Sequence, residues 1–158
     1  AQAIDAPDNT FDIVLMFKSL HHVPLDLLDQ ALAEIRRVLK PGGLAYISEP
    51  VFAGDFNEVL RLFHDESVVR QAAFDAVEKT VADRQLVLEK EYFFKNRVTL
   101  KHFGQFEKGV MAATHTEHIL TPEMIAQVKS KFESYGDPAQ GYTFLTENRV
   151  DLLKKAAS

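Results

Sequence analysis

A chain of 158 residues with 46% hydrophobic content is long enough for one domain with a real core and too short for two comfortable ones. It has no cysteine, so disulfides, thiolate nucleophiles and zinc–cysteine sites are excluded, which fits a cytoplasmic protein. A formal charge of −5 argues against a broad nucleic-acid surface, and no apolar run approaches the roughly 20 residues that cross a bilayer.

Residues 1–10 are polar and turn-rich, with Pro7-Asp8-Asn9 reading as a loop. The unbroken apolar run that follows, Phe11 to Phe17, predicts a strand covered on both faces, as in a parallel sheet. Pro24 and Asp26 then open a helix. Leu27, Leu28, Ala31, Leu32, Ile35, Val38 and Leu39 fall on one of its faces, with Asp26 and Asp29 near the amino end and Arg36, Arg37 and Lys40 near the carboxyl end. Pro41 stops the helix, and Gly42-Gly43 allow a tight reversal into a second buried strand, Leu44 to Ile47, ending at Ser48-Glu49-Pro50. The unit is βαβ, with a right-handed crossover.

Further on, Val59, Leu60 and Phe63 mark one helical stripe and Val69, Ala72, Ala73, Ala76 and Val77 another, with the break at residues 64–67. Glu89 to Leu100 alternates, with Tyr92, Phe94, Val98 and Leu100 on one face of a strand. Residues 103–113 and 122–132 predict two more helices, the second opened by Thr121-Pro122-Glu123. Gly136-Asp137-Pro138 with Gly141 predicts a loop, and Tyr142 to Leu153 a last strand closing against Glu89 to Leu100. His115 and His118 share a helical face, but no third ligand is evident and no metal site is expected. Of the phenylalanines at 52, 56, 63, 93, 94, 103 and 106, most read as core, with one or two at a pocket.

Four blocks in order, Phe11-Asp12-Ile13-Val14, Leu20-His21-His22-Val23, Arg37 to Gly43 and Ile47-Ser48-Glu49-Pro50, resemble class I S-adenosylmethionine-dependent methyltransferases, most closely the type 11 group acting on small molecules. The resemblance implies an α/β fold: the carboxyl-terminal half of a Rossmann-like methyltransferase sheet, two parallel strands plus an antiparallel terminal pair, with several helices. One partial methyltransferase-like domain would span residues 1–158. The family grips its cofactor with a glycine-rich loop after its first strand, and none of the seven glycines here lies in such a loop. The expectation is therefore a piece of a larger enzyme or a chain completed by another, inactive and without tight cofactor binding by itself.

The resemblance also implies site residues. Ala1 and Gln2 fall where the loop beside the adenine ring would lie. Phe17, Lys18 and Ser19 follow the first strand at its carboxyl end, where ligands of such sheets bind, and would contact S-adenosylmethionine. His21 or His22 would accept a proton from a hydroxyl or amine nucleophile, and Glu49 would serve as a base or anchor a small-molecule substrate. An uncovered margin along residues 11–17 would be a template for pairing, so a homodimer is expected through that edge, with no nucleic acid and no membrane as partner. Two further readings stay open: a non-enzymatic methyltransferase-like module acting as a dimerisation or interaction scaffold, and an unrelated α/β binding domain sharing only the βαβ unit.

Overall fold

A computed structural model describes residues 1–112 and 120–157. The elements in chain order are β1 (Phe11–Phe17), α1 (Leu28–Val38), β2 (Leu39–Pro50), α2 (Asp55–Leu60), α3 (Ser67–Ala82), β3 (Val87–Leu100), α4 (Phe103–Phe106), α5 (Pro122–Glu133), β4 (Gly136–Asp137) and β5 (Gly141–Lys154). The sheet order is β1-β2-β5-β3, with the short β4 paired to β5. β1 and β2 are parallel, with Ile13 opposite Leu44 and Phe17 opposite Ser48, whereas β5 runs antiparallel to β2. This is the expected α/β class, with its parallel pair followed by two antiparallel strands. The chain divides into two compact units: residues 1–51, 67–94 and 148–158 in one, residues 52–66 and 95–147 in the other.

The first unit is organised by α1. Leu28, Ala31, Leu32, Ile35 and Val38 are buried at spacings of three and four, and the first four pack with Met16, Ala45 and Ile47 of the strands and Ala73, Ala76 and Val77 of α3. Asp29 in its first turn and Arg36 and Arg37 in its last complement the helix dipole. Arg37 also gathers the preceding loop: its guanidinium donates to Glu34, Asp8 and the carbonyls of Ile4 and Ala6. With Arg37 and the Ile4 amide both bonded to it, the Glu34 carboxyl is held down to about 2.

The helix ends at Val38, two residues earlier than the sequence pattern predicts, because Leu39 is already extended and pairs with Phe11. The register then shifts, and residues 40–43 loop out before Leu44 meets Ile13. The two glycines serve this loop for different reasons. Gly42 has φ +77, which side chains disfavour, and a Cβ on Gly43 would lie 2.9 Å from the Lys40 carbonyl.

The expectation that β1 is covered on both faces requires correction. Val14 and Met16 face the core, but Ile13, Leu15 and Phe17 are 57–60% exposed. β1 is the terminal strand of the described sheet, bonded to β2 alone, and among the described residues nothing buries its second face.

The first unit also holds an ionic cluster that the sequence did not announce, built on the buried Arg149 and Asp151 and reaching the exposed Glu78 and Glu91. Arg149 lies 3.0 Å from Glu78, Glu91 and Asp151, with its guanidinium over the Phe74 ring. Burial pushes the Asp151 carboxyl up, and Arg149 only partly offsets that.

The second unit has an aromatic core of Phe63, Phe103, Phe106, Phe132, Tyr142 and Phe144, with Val59, Leu60 and Val128. Of the seven phenylalanines singled out, Phe63, Phe103 and Phe106 are core and Phe56 packs against them, whereas Phe93 and Phe94 on β3 are exposed, so the expectation that most are core is corrected. Thr121 caps α5, its hydroxyl accepting from the Met124 amide, with Pro122 at the first helical position. The predicted loop at 136–141 is instead a small hairpin. Gly136 pairs with Tyr142, and the Asp137 carbonyl and carboxylate accept from Gln140 and Ala139 to close the turn. The helix predicted over 103–113 is α4 followed by a π-type segment at Glu107–Met111. The His115 and His118 reading lies outside the described residues.

Candidate functional site

The site lies at the carboxyl end of β1, where a parallel strand delivers the chain into a connection rather than a neighbouring strand. Lys18 turns that corner with φ 48, a conformation unusual for a residue with a side chain, and its amide donates to the Ser48 carbonyl at 2.7 Å. The connection continues as two single 3-10 turns, Leu20–His22 and Leu25–Leu27, before α1 begins.

A cavity of about 430 Å³ opens beside this connection, lined by Ala1, Gln2, Ser19 and His22 with apolar walls that include Ile4, Val14, Met16 and Ile35. The structure thus brings together four of the residues that the sequence singled out. Its walls were not foreseen as site residues, because an unbroken apolar run does not mark which alternate residues of β1 face inward. Phe17 and Lys18 are not among the lining residues. The Phe17 ring instead rests against Tyr46 at 5.5 Å between centroids, and the Tyr46 hydroxyl meets that of Tyr92 at 2.8 Å. That hydrogen bond, with some burial, pushes the Tyr46 phenol up.

Glu49 is 2% exposed and turned into the connection. One carboxylate oxygen accepts from the amides of Ser19 and Leu20 at 2.9 and 2.8 Å. The other accepts from the His21 amide at 3.4 Å and is paired with His21 Nδ1. Burial would push this carboxyl up, but the His21 ring and the backbone amides outweigh it, and the net direction is down. His21 is buried, His22 is exposed, and their rings lie 4.1 Å apart. The two histidines therefore differ in kind: one is bonded to a buried carboxylate, the other borders the cavity.

S-adenosylmethionine has one part that this cavity suits. Apolar walls with a few polar groups at the rim fit a flat aromatic base, and Ile4, Val14, Ile35, Gln2 and Ser19 are the residues that would hold it. A cradle of glycines for the amino-acid end does not occur among the described residues.

Residues 1–47 match the methyltransferase domain family. The ubiquinone/menaquinone biosynthesis C-methyltransferase UbiE of Hydrogenovibrio crunogenus is 49% identical over 49 residues, 31% of this chain and 18% of that protein. Among solved structures, a Bacillus halodurans protein assigned as a methyltransferase has a TM-score of 0.62 at 16% identity, covering 98% of this chain and 68% of that one. A SAM-dependent methyltransferase from Methanosarcina mazei has a TM-score of 0.52 at 14% identity, covering 99% and 65%. The chain thus has the fold of class I methyltransferases, and its first 47 residues carry their sequence pattern. It spans between 14% and 18% of the length of the curated relatives it matches. Among the described residues, no helix is long and apolar enough to cross a membrane.

Proposed function

We propose that this chain is the carboxyl-terminal part of a single methyltransferase domain that transfers a methyl group from S-adenosylmethionine to a small organic substrate. The cavity gathering Ala1, Gln2, Ser19 and His22 at the carboxyl end of β1 carries this reading. Ala1 and Gln2 would border the adenine, and Ser19 its ribose side. The cofactor, when bound, supplies an electrophilic methyl group, and the protein supplies alignment and exclusion of water. His22, exposed beside the cavity, is the better placed of the two histidines to reach a nucleophile, because His21 is buried. Glu49 reaches a substrate only through the residues it holds.

The glycine-rich half of the cofactor site would come from sequence outside these 158 residues. By itself the chain would then bind S-adenosylmethionine weakly or not at all and be inactive. Calorimetry checks this directly: submillimolar binding by the isolated chain would refute it. In a protein that includes the glycine-rich region, methyl-labelled S-adenosylmethionine should deliver label to a hydroxyl, amine or carbon nucleophile. His22→Ala should then slow transfer by about 10²–10⁴-fold, the usual contribution of a positioned base.

The second reading is a non-enzymatic module that pairs with a second copy. The exposed Ile13, Leu15 and Phe17 on the terminal strand favour it, since an uncovered strand edge is a template for pairing. Both readings give a homodimer of the isolated chain through residues 11–17.

A further inference from the structure

The connection after β1 would be a poor platform without help: a left-handed Lys18 and two isolated 3-10 turns give it few internal hydrogen bonds. Help comes from one side chain 28 to 30 residues away in sequence. Four donors converge on the Glu49 carboxylate, three of them consecutive amides from residues 19–21 and the fourth the His21 ring. A carboxylate offers about four lone-pair positions, so this group is saturated while almost wholly buried. Successive amides wrapped on one anion fix the backbone that carries them. The next residue is His22, which therefore leaves the wrapped segment in a set direction, toward the cavity. The His21 ring, donating from Nδ1 to Glu49, lies against the His22 ring and limits its rotation.

We propose that Glu49 is the positioning residue of this site, setting the direction of His22 through the wrapped amides and the His21 ring. His21 is then a relay between them. Naming His22 as the proton acceptor rests on the methyltransferase reading; the positioning claim does not.

Imidazole and amide NMR of the ¹⁵N-labelled chain tests it. The parent should show a deshielded, slowly exchanging His21 Nδ1 proton, and His22→Ala should leave that signal in place. Glu49→Gln is the informative variant. Its carbonyl oxygen can still accept from Ser19 and Leu20, but its amide nitrogen faces His21. The His21 ring must then switch to the Nε2–H form, and the His22 ring resonances must move with it. Glu49→Ala should also speed exchange of the Ser19 and Leu20 amides by about tenfold or more, the loss of a hydrogen bond to a charged group, while amides within α1 keep their protection. An unchanged His21 tautomer and unmoved His22 resonances in Glu49→Gln would overturn the proposal, and so would Ser19 and Leu20 exchange that Glu49→Ala leaves alone. If Glu49→Ala does not fold, the Glu49→Gln spectrum decides. In a protein competent for methyl transfer, Glu49→Gln should lower kcat with little change in KM. Absence of transfer by a protein that includes the glycine-rich region would refute the methyltransferase reading and leave the NMR outcome standing.

Discussion

The two faces of the β1–β2 pair are built from the same kinds of residue and live in opposite surroundings. On one face Val14, Met16, Ala45 and Ile47 meet α1, and Glu49, next in that alternation, closes the row by holding the connection to the site. On the other, Ile13, Leu15 and Phe17 stand more than half exposed, with only the Phe17 ring against Tyr46. Burial decides what a side chain contributes. Leu15 matches core residues in chemistry, yet it contributes little to the stability of this chain and much to what the chain will adhere to.

Truncation should separate the faces most sharply. Ile47→Ala, at a site 1% exposed, should cost about 2–5 kcal/mol in denaturant unfolding, as large-to-small core changes do. A cost near zero would mean that the packed face is not the core. The open face is tested by association: light scattering should find a dimer for the parent chain and a monomer for Leu15→Lys, since a buried like-charge pair across a two-fold contact is unfavourable. A monomeric parent would remove the dimer from both functional readings.

Acid should act on the packed side. The Glu49 carboxyl is lowered in the folded state, so its contribution is fully present above the ordinary carboxylate range and is lost as pH falls through the lowered value. The midpoint of thermal unfolding should therefore fall progressively below about pH 4, and Glu49→Gln should flatten that slope. Asp151, raised by burial, works with the opposite sign: its ionisation as pH rises through its own value is unfavourable to the fold. The smallest effect expected is Leu15→Ala, within about 0.5 kcal/mol of the parent, as for exposed positions without special contacts.

Much of this architecture was legible without coordinates. The stripe from Leu28 to Val38, the strand at Val87–Leu100 and the cap at Thr121 are local patterns, and local patterns are what a linear sequence records. The same locality placed Ser19 and His22 at the end of a parallel strand. It did not reveal that Glu49 is saturated by amides some thirty residues away, or that Arg149 joins Glu78, Glu91 and Asp151. Both depend on which strand lies beside which.

The sequence by itself determined the βαβ unit, the α/β class and the family whose pattern residues 1–47 follow, because periodicity, helix stops and motif order are written in neighbouring residues. Tertiary structure alone decided which half of the β1 run is buried and which histidine borders the cavity. An apolar residue or an imidazole has the same formula on either side of a sheet, and only the surrounding layers determine whether it meets a helix, a carboxylate or water.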